Sequence, residues 1–198
     1  MVTKGWLLPI ALSMVLIFEV SSQNCGQLLT TLREANQANL ELLCRKMGPS
    51  ISQQCINDVV SFSQREFLGN INVSEEGSAK AAIQEVLQQT GHIFKHNDTE
   101  MPWDADSLRA FHAGLDQQSE NLKSCLSASP RIQLTRLRVK RYFRSLNDFL
   151  KEKESSRCAW EIVQIQVKKA FLWIEKLIQE IQSKGMEGQI PMHTQYFI

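Results

Sequence analysis

The sequence carries almost no net charge: 22 Lys and Arg against 21 Asp and Glu leave a formal +1. Bulk nucleic-acid binding needs a marked basic excess, so that class is excluded. There is no GxSxG, no Walker loop and no GxGxxG, which removes the common hydrolase, NTPase and dinucleotide-binding signatures. No CxxC pair occurs, so neither a zinc ribbon nor a thioredoxin-type site is supported. Strand-like alternation, internal repeats and low-complexity tracts are missing. Histidines number only four. His92 and His96 have the i, i+4 spacing of two zinc ligands, but His-Ile-Phe-Lys-His lacks the glutamate of a zinc protease and no third ligand is identifiable. Both are read as solvent-side residues near a helix end. No metal site, no cofactor and no catalytic set are expected, so the chain does not read as an enzyme.

What is present begins with a leader. Met1 to Lys4 supply one positive charge, Leu7 to Phe18 form an apolar run broken only by Pro9 and Ser13, and Val20 and Ser22 occupy the −3 and −1 positions of a cleavage site. That reads as a secretory signal peptide over 1–22, in preference to an N-terminal anchor or a buried helix. The run is too short to span a bilayer, and no second one follows, so a freely secreted, extracellular protein without membrane insertion is expected. In an oxidising compartment the five cysteines, Cys25, Cys44, Cys55, Cys125 and Cys158, read as disulfides with one thiol over, and any four of them allow three connectivities. Asn72-Val73-Ser74 and Asn97-Asp98-Thr99 are sequons in polar stretches, so Asn72 and Asn97 are candidate glycosylation sites.

The periodic segments are all helical. Leu29, Leu32, Leu40, Leu43 and Met47 form a stripe over 27–47, with Asn36 a polar gap and Gly48-Pro49 the stop. Residues 48–77 read as a long crossover loop with a short helical turn. A second helix, 78–96, sets Ala79, Ile83, Val86, Leu87 and Phe94 on one face. The third opens on Asp104 as N-cap, with Trp103 and Leu108 placed as a hydrophobic staple, and continues through Phe111, Leu115 and Leu122 toward Cys125. The fourth covers 133–153 and the fifth 156–184, where Gly185 is read as the end. The domain plan is therefore a leader at 1–22, a helical domain at 23–185 and an aperiodic, flexible tail at 186–198. Five amphipathic helices with one long early loop give an all-α bundle, and helical cytokine bundles use such crossovers to run up-up-down-down.

Around the fourth helix lie Arg131, Arg136, Arg138, Lys140, Arg141 and Arg144, six cations in fourteen residues. They read either as a solvated face or as a site for heparan sulfate, a cell-surface polyanion, for nucleic acid or for an acidic protein face.

The string Tyr142-Phe143-x-x-Leu146-x-x-Phe149-Leu150, followed after seven residues by Cys158-Ala159-Trp160, resembles the signature of the type I interferons. Trp103-Asp104 at the start of the third helix, Cys25 behind the leader and Cys55 in the crossover loop agree with it. Much of the signature is apolar, aromatic or cysteine, so it reads as core and disulfide and not as contact surface. The resemblance implies bridges Cys25–Cys125 and Cys55–Cys158, leaving Cys44 free. Cys44 is then read as a small buried residue in preference to an intermolecular bridge. It further implies a monomeric cytokine that joins the two chains of the type I interferon receptor, whose kinases start antiviral, immune-regulatory transcription. The high-affinity chain would be bound by the crossover loop through Ile56, Asp58 and Val59 and by the fifth helix through Gln164, Ile165, Lys168, Lys169 and Leu172. The low-affinity chain would be bound on the opposite side, through Lys140 and Arg141. Many members carry arginine where this chain has Val59 and Gln164, so a weaker or more apolar high-affinity interface, using Ile165 and Leu172, is expected. The alternative is another secreted helical cytokine or hormone with different receptors.

Overall fold

Two helix starts show how local chemistry sets the architecture. Asp104 is extended, and its Oδ1 accepts from Ser107 N at 2.9 Å. Ser129 is likewise extended, its Oγ accepts from Ile132 N at 3.2 Å, and Pro130 follows at the first helical position, where its missing N–H costs nothing. The computed structural model describes residues 7–47, 51–63, 68–96, 103–126 and 129–187. They form α1 (Leu7–Lys46), α2 (Ile56–Ser63), α3 (Glu76–His96), α4 (Ala105–Lys123), α5 (Pro130–Glu152) and α6 (Arg157–Glu187). Two 3₁₀ turns, Gln53–Cys55 and Leu68–Asn70, sit in the crossover between α1 and α3, and there is no strand among the described residues.

Cross-helix contacts give the directions. Asn39 lies over Gly114 and Lys46 pairs with Asp104, so α1 and α4 are antiparallel. Arg33 reaches Glu175 at 2.7 Å and Asn36 Nδ2 donates to the Phe171 carbonyl at 3.2 Å, so α1 opposes α6. Gln84 Nε2 donates to the Ser119 carbonyl at 3.0 Å while Phe94 stacks on Phe111, so α3 opposes α4. Phe94 also meets Trp160, and Lys184 Nζ reaches the Ser74 carbonyl just before α3 at 3.0 Å, so α3 opposes α6. The four helices α1, α3, α4 and α6 therefore run up, up, down and down. α5 runs parallel to α3, with Arg131 on Glu75 and Arg136 on Glu85, and packs on its outer side.

That placement encloses α3. Every residue from Ser78 to Leu87 is buried, including Lys80, Gln84 and Glu85, where the sequence indicated a single apolar face. The polar side is covered by α5: Glu85 accepts from Arg136 at 3.2 Å with Lys140 at 3.8 Å, and Gln84 accepts from Arg136. One end of the bundle is filled by Phe94, Trp103, Phe111 and Trp160, in mutual edge or tilted contact at 5.1–5.7 Å. Such pairs contribute about 0.5–1.5 kcal/mol each beyond the area they bury.

Several boundaries differ from the sequence reading. α1 starts at Leu7, not near 27, so the backbone of the expected leader is helical and continuous with the bundle helix. Asn36 is not a gap in a stripe but a buried bundle residue, 1% exposed. α6 runs through Gly185 to Glu187, since one helical glycine costs only about 1 kcal/mol against alanine. The tail from 188 lies outside the described residues. α5 and α6 join through a tight turn in which Glu154 and Ser155 take left-handed φ of 50° and 51°, and Ser155 N donates to the Leu150 carbonyl at 2.7 Å. No glycine marks this stop, so the sequence does not announce it. No helix among the described residues is long and apolar enough to cross a membrane.

Candidate functional site

The crossover is pinned to the end of α5 and the start of α6 by four unlike interactions. Cys55 and Cys158 form a disulfide with Cα atoms 5.2 Å apart. Glu161 accepts from Ser52 Oγ at 2.7 Å and from Ser52 N at 3.0 Å. Asp58 pairs with Lys153 at 2.8 Å, and Phe62 meets Phe149 edge-on at 5.1 Å. A second disulfide, Cys25–Cys125, ties α1 to the end of α4. The bridges close 100 and 103 residues, for which the chain-entropy account allows about 4–5 kcal/mol each as an upper figure. Residues 52–62 of the crossover are thus held as a shelf against α5 and α6.

Charges at the shelf are tuned by these partners. Burial would raise the Glu161 carboxyl, but the Ser52 hydrogen bonds and nearby Arg157 outweigh it and hold the group below its usual range. The hydrogen bond from Lys153 to Asp58, with their mutual charge, pushes the lysine up. Elsewhere, Lys46 and Ser107 hold the Asp104 carboxyl well below the carboxylate range, and burial drives the Tyr142 hydroxyl upward.

With α2 held this way, Ile51, Ile56 and Val60 stand in solvent at 37%, 50% and 55% exposure, and Leu172 on α6 at 50%. Four of the six large exposed apolar side chains of the described residues therefore belong to α2, its approach and α6. On α6 the 3.6-residue period sets Glu161, Ile165, Lys168, Lys169, Leu172 and Lys176 along one outward stripe that starts at Cys158. Glu161 to Leu172 covers about 16 Å of axis. Apolar side chains left in water and flanked by lysines resemble in composition the surfaces of protein contacts. Among the described residues no group of three or more His, Cys, Asp or Glu converges on a common point.

The residues named from the sequence divide. Ile56, Lys169 and Leu172 are exposed on this surface, and Ile165 and Lys168 are half-buried on it. Asp58 is half-buried and engaged by Lys153, and Val59 is half-buried against the core. Gln164 is a correction: it is 4% exposed, accepts from Trp103 Nε1 at 3.1 Å and donates to the Trp160 carbonyl at 3.3 Å. Its polarity serves an interior hydrogen bond, so it is not part of the outer stripe. Val60 and Ile51 were missed; Val60 lies one turn after Ile56, a spacing legible only once α2 is known to be a helix. Cys44 is a second correction, being exposed and free, because the buried side of α1 carries Leu28, Leu32, Asn36, Asn39 and Leu43. On α5, Arg141 is exposed and Lys140 is half in solvent, 3.8 Å from Glu85. Asn72 is exposed ahead of α3, whereas Asn97 lies outside the described residues.

The sequence profile of the Interferon alpha/beta domain matches residues 28–181. Interferon beta of Equus caballus is 28% identical over 187 residues, covering 91% of this chain and all of its own length. Interferon alpha-B of Bos taurus is 31% identical over 189 residues, covering 91% of this chain and 98% of its own. Among solved structures, zebrafish interferon 1 aligns with a TM-score of 0.57 at 21% identity, over 77% of this chain and 97% of that one, a likeness of fold.

Proposed function

This chain belongs to the alpha/beta interferon family, one of cytokines and not of enzymes, and we propose that it acts as a secreted type I interferon that bridges the two chains of the type I interferon receptor. The supporting observation is the α2–α6 surface, where Ile51, Ile56 and Val60 around α2 and Leu172, with Lys168 and Lys169, on α6 are partly or fully in water. A high-affinity receptor chain would cover this surface, with the apolar residues as its centre and the lysines as its rim. The exposed face of α5, with Lys140 and Arg141, would take the low-affinity chain. Bridging brings the receptor-attached kinases together and starts antiviral transcription. In this reading residues 1–22 are removed as a signal peptide, and an N-linked glycan sits at exposed Asn72 and another at Asn97.

The test is binding of purified, oxidised protein to the two receptor ectodomains, singly and together. A ternary complex is expected. Absence of binding to both, in a sample with intact disulfides and helical circular dichroism, would overturn the receptor assignment and turn attention to the receptors of other helical cytokines.

A further inference from the structure

The six cations around α5 are not equivalent. Arg131 pairs with Glu75, Arg136 with Glu85 and Gln84, and Lys140 lies 3.8 Å from Glu85, so half of the cluster is already committed to α3 and its approach. Arg138, Arg141 and Arg144 are exposed, and none has a carboxylate within ion-pairing distance among the described residues. Steps of three residues place them at about 4.5 Å axial intervals, within about a third of the helix circumference. The result is an oblique guanidinium row that rises about 9 Å along the helix axis, on a protein of near-zero net charge.

We propose that Arg138, Arg141 and Arg144 form a binding row for a linear sulfated polysaccharide, while Arg131, Arg136 and Lys140 contribute little to it. Guanidinium forks take sulfate and carboxylate oxygens in bidentate fashion, and a row of them matches a chain of regularly repeated anions better than a single acidic side chain. The site goes beyond the receptor reading and carries a consequence for it: a polysaccharide on this row covers Arg141, so it competes with the low-affinity chain and leaves the α2–α6 surface open. Leu134 and Leu137, 51% and 60% exposed beside the row, make a protein face the competing occupant.

The experiment is retention on immobilised heparin as a function of salt. The variants are R138Q/R141Q/R144Q and a charge-matched control, K95Q/R109Q/K123Q, each checked by circular dichroism. The unmodified protein is expected to be held at about 0.15 M salt. The slope of log affinity against log salt should fall by about 3 in the row variant, one for each guanidinium–anion pairing removed, and by less than 1 in the control. Equal losses in both variants would reduce the effect to bulk charge and overturn the site. Elution of the unmodified protein below physiological salt would overturn it as well. If the row variant loses the low-affinity ectodomain but not heparin, the row is a protein face only. Heparin retention through the row without binding to either receptor chain would keep this site and remove the receptor reading.

Discussion

Trp103 and Gln164 hold each other inside the bundle: the indole Nε1 donates to Gln164 Oε1 at 3.1 Å, and both residues are at most 9% exposed. Gln164 Nε2 in turn donates to the Trp160 carbonyl, so one carboxamide links the entry of α4 to the first turns of α6. Gln164→Ala should therefore cost about 1–3 kcal/mol, because the indole N–H is left buried without an acceptor. Gln164→Arg should cost more, since a guanidinium would be forced into the aromatic end of the core. Urea unfolding measures both. Receptor affinity per folded molecule should stay unchanged in each; an Arg variant with native stability and improved binding would show that this side chain reaches the surface after all.

Leu172 and Val60 make the opposite prediction. Both are at least half exposed, so alanine at either should alter stability by no more than about 0.5 kcal/mol. If they lie at the centre of the receptor contact, each truncation should weaken the high-affinity ectodomain by about 1–2 kcal/mol, roughly 5- to 30-fold. Surface binding kinetics should place the change in dissociation. Wild-type affinity in the double variant would move the contact off this stripe.

These two residue classes also show what the sequence could and could not reveal. The start of α4 at Asp104 and the apolar stripe of α6 are local signals, written in a cap and a 3.6-residue period, and both are legible. Residue polarity is legible only as a default. Gln164 reads as surface because its partner, Trp103, is 61 residues away. Gln84 and Glu85 read as a solvent side of α3 because the helix that covers them follows about fifty residues later. The same long-range pairing removes half of the apparent basic cluster of α5. Cys44 fails in the other direction: a residue type that is usually buried sits on the outer side of α1 because Leu43, its neighbour, takes the inward position.

Asp104 makes the acid limb of stability testable. Its carboxyl is held well below the unfolded value by Lys46 first and by Ser107 second. A depressed folded value means that the contribution is fully present above the unfolded value of about 3.9 and is lost as pH falls toward the folded one. Asp104→Asn keeps an N-capping side chain but removes the charge. The melting temperature of the native protein should exceed that of the variant at pH 6, and the difference should shrink steadily below about pH 4. Because the group is exposed, 0.5 M salt should shrink it too. A difference that persists unchanged at pH 2 would assign the effect to the cap alone.

Glu85 is the charge whose removal should matter most. Its side chain is 1% exposed and is met by Arg136 and Lys140 from α5. Glu85→Ala should cost about 1–3 kcal/mol, because the partly buried Arg136 loses its charged partner, whereas Lys140, half in solvent, is left hydrated. Replacing both members, Glu85→Leu with Arg136→Met, should cost less than the sum of the single changes, since an apolar pair restores packing without stranding a charge. Strict additivity in guanidinium unfolding would mean that α5 is held to α3 by apolar packing alone.

Gly114 of α4 lies directly under the Asn39 side chain of α1. A Cβ there would lie 2.5 Å from Asn39 Oδ1 and 3.0 Å from Nδ2, and the asparagine is itself buried, 4% exposed. Gly114→Ala should therefore destabilise by about 1–3 kcal/mol, although alanine is the better helix former by about 1 kcal/mol. In an Asn39→Ala background the obstruction is gone and only the helix preference remains, so the same substitution should become neutral or stabilising. The double-mutant cycle should thus show a coupling of about 1 kcal/mol or more, of the sign that favours the double variant. Measured by urea midpoints with an unchanged slope, this outcome would fix Asn39 as the side chain that the glycine accommodates. Additive costs would place the obstruction in the helix backbones themselves.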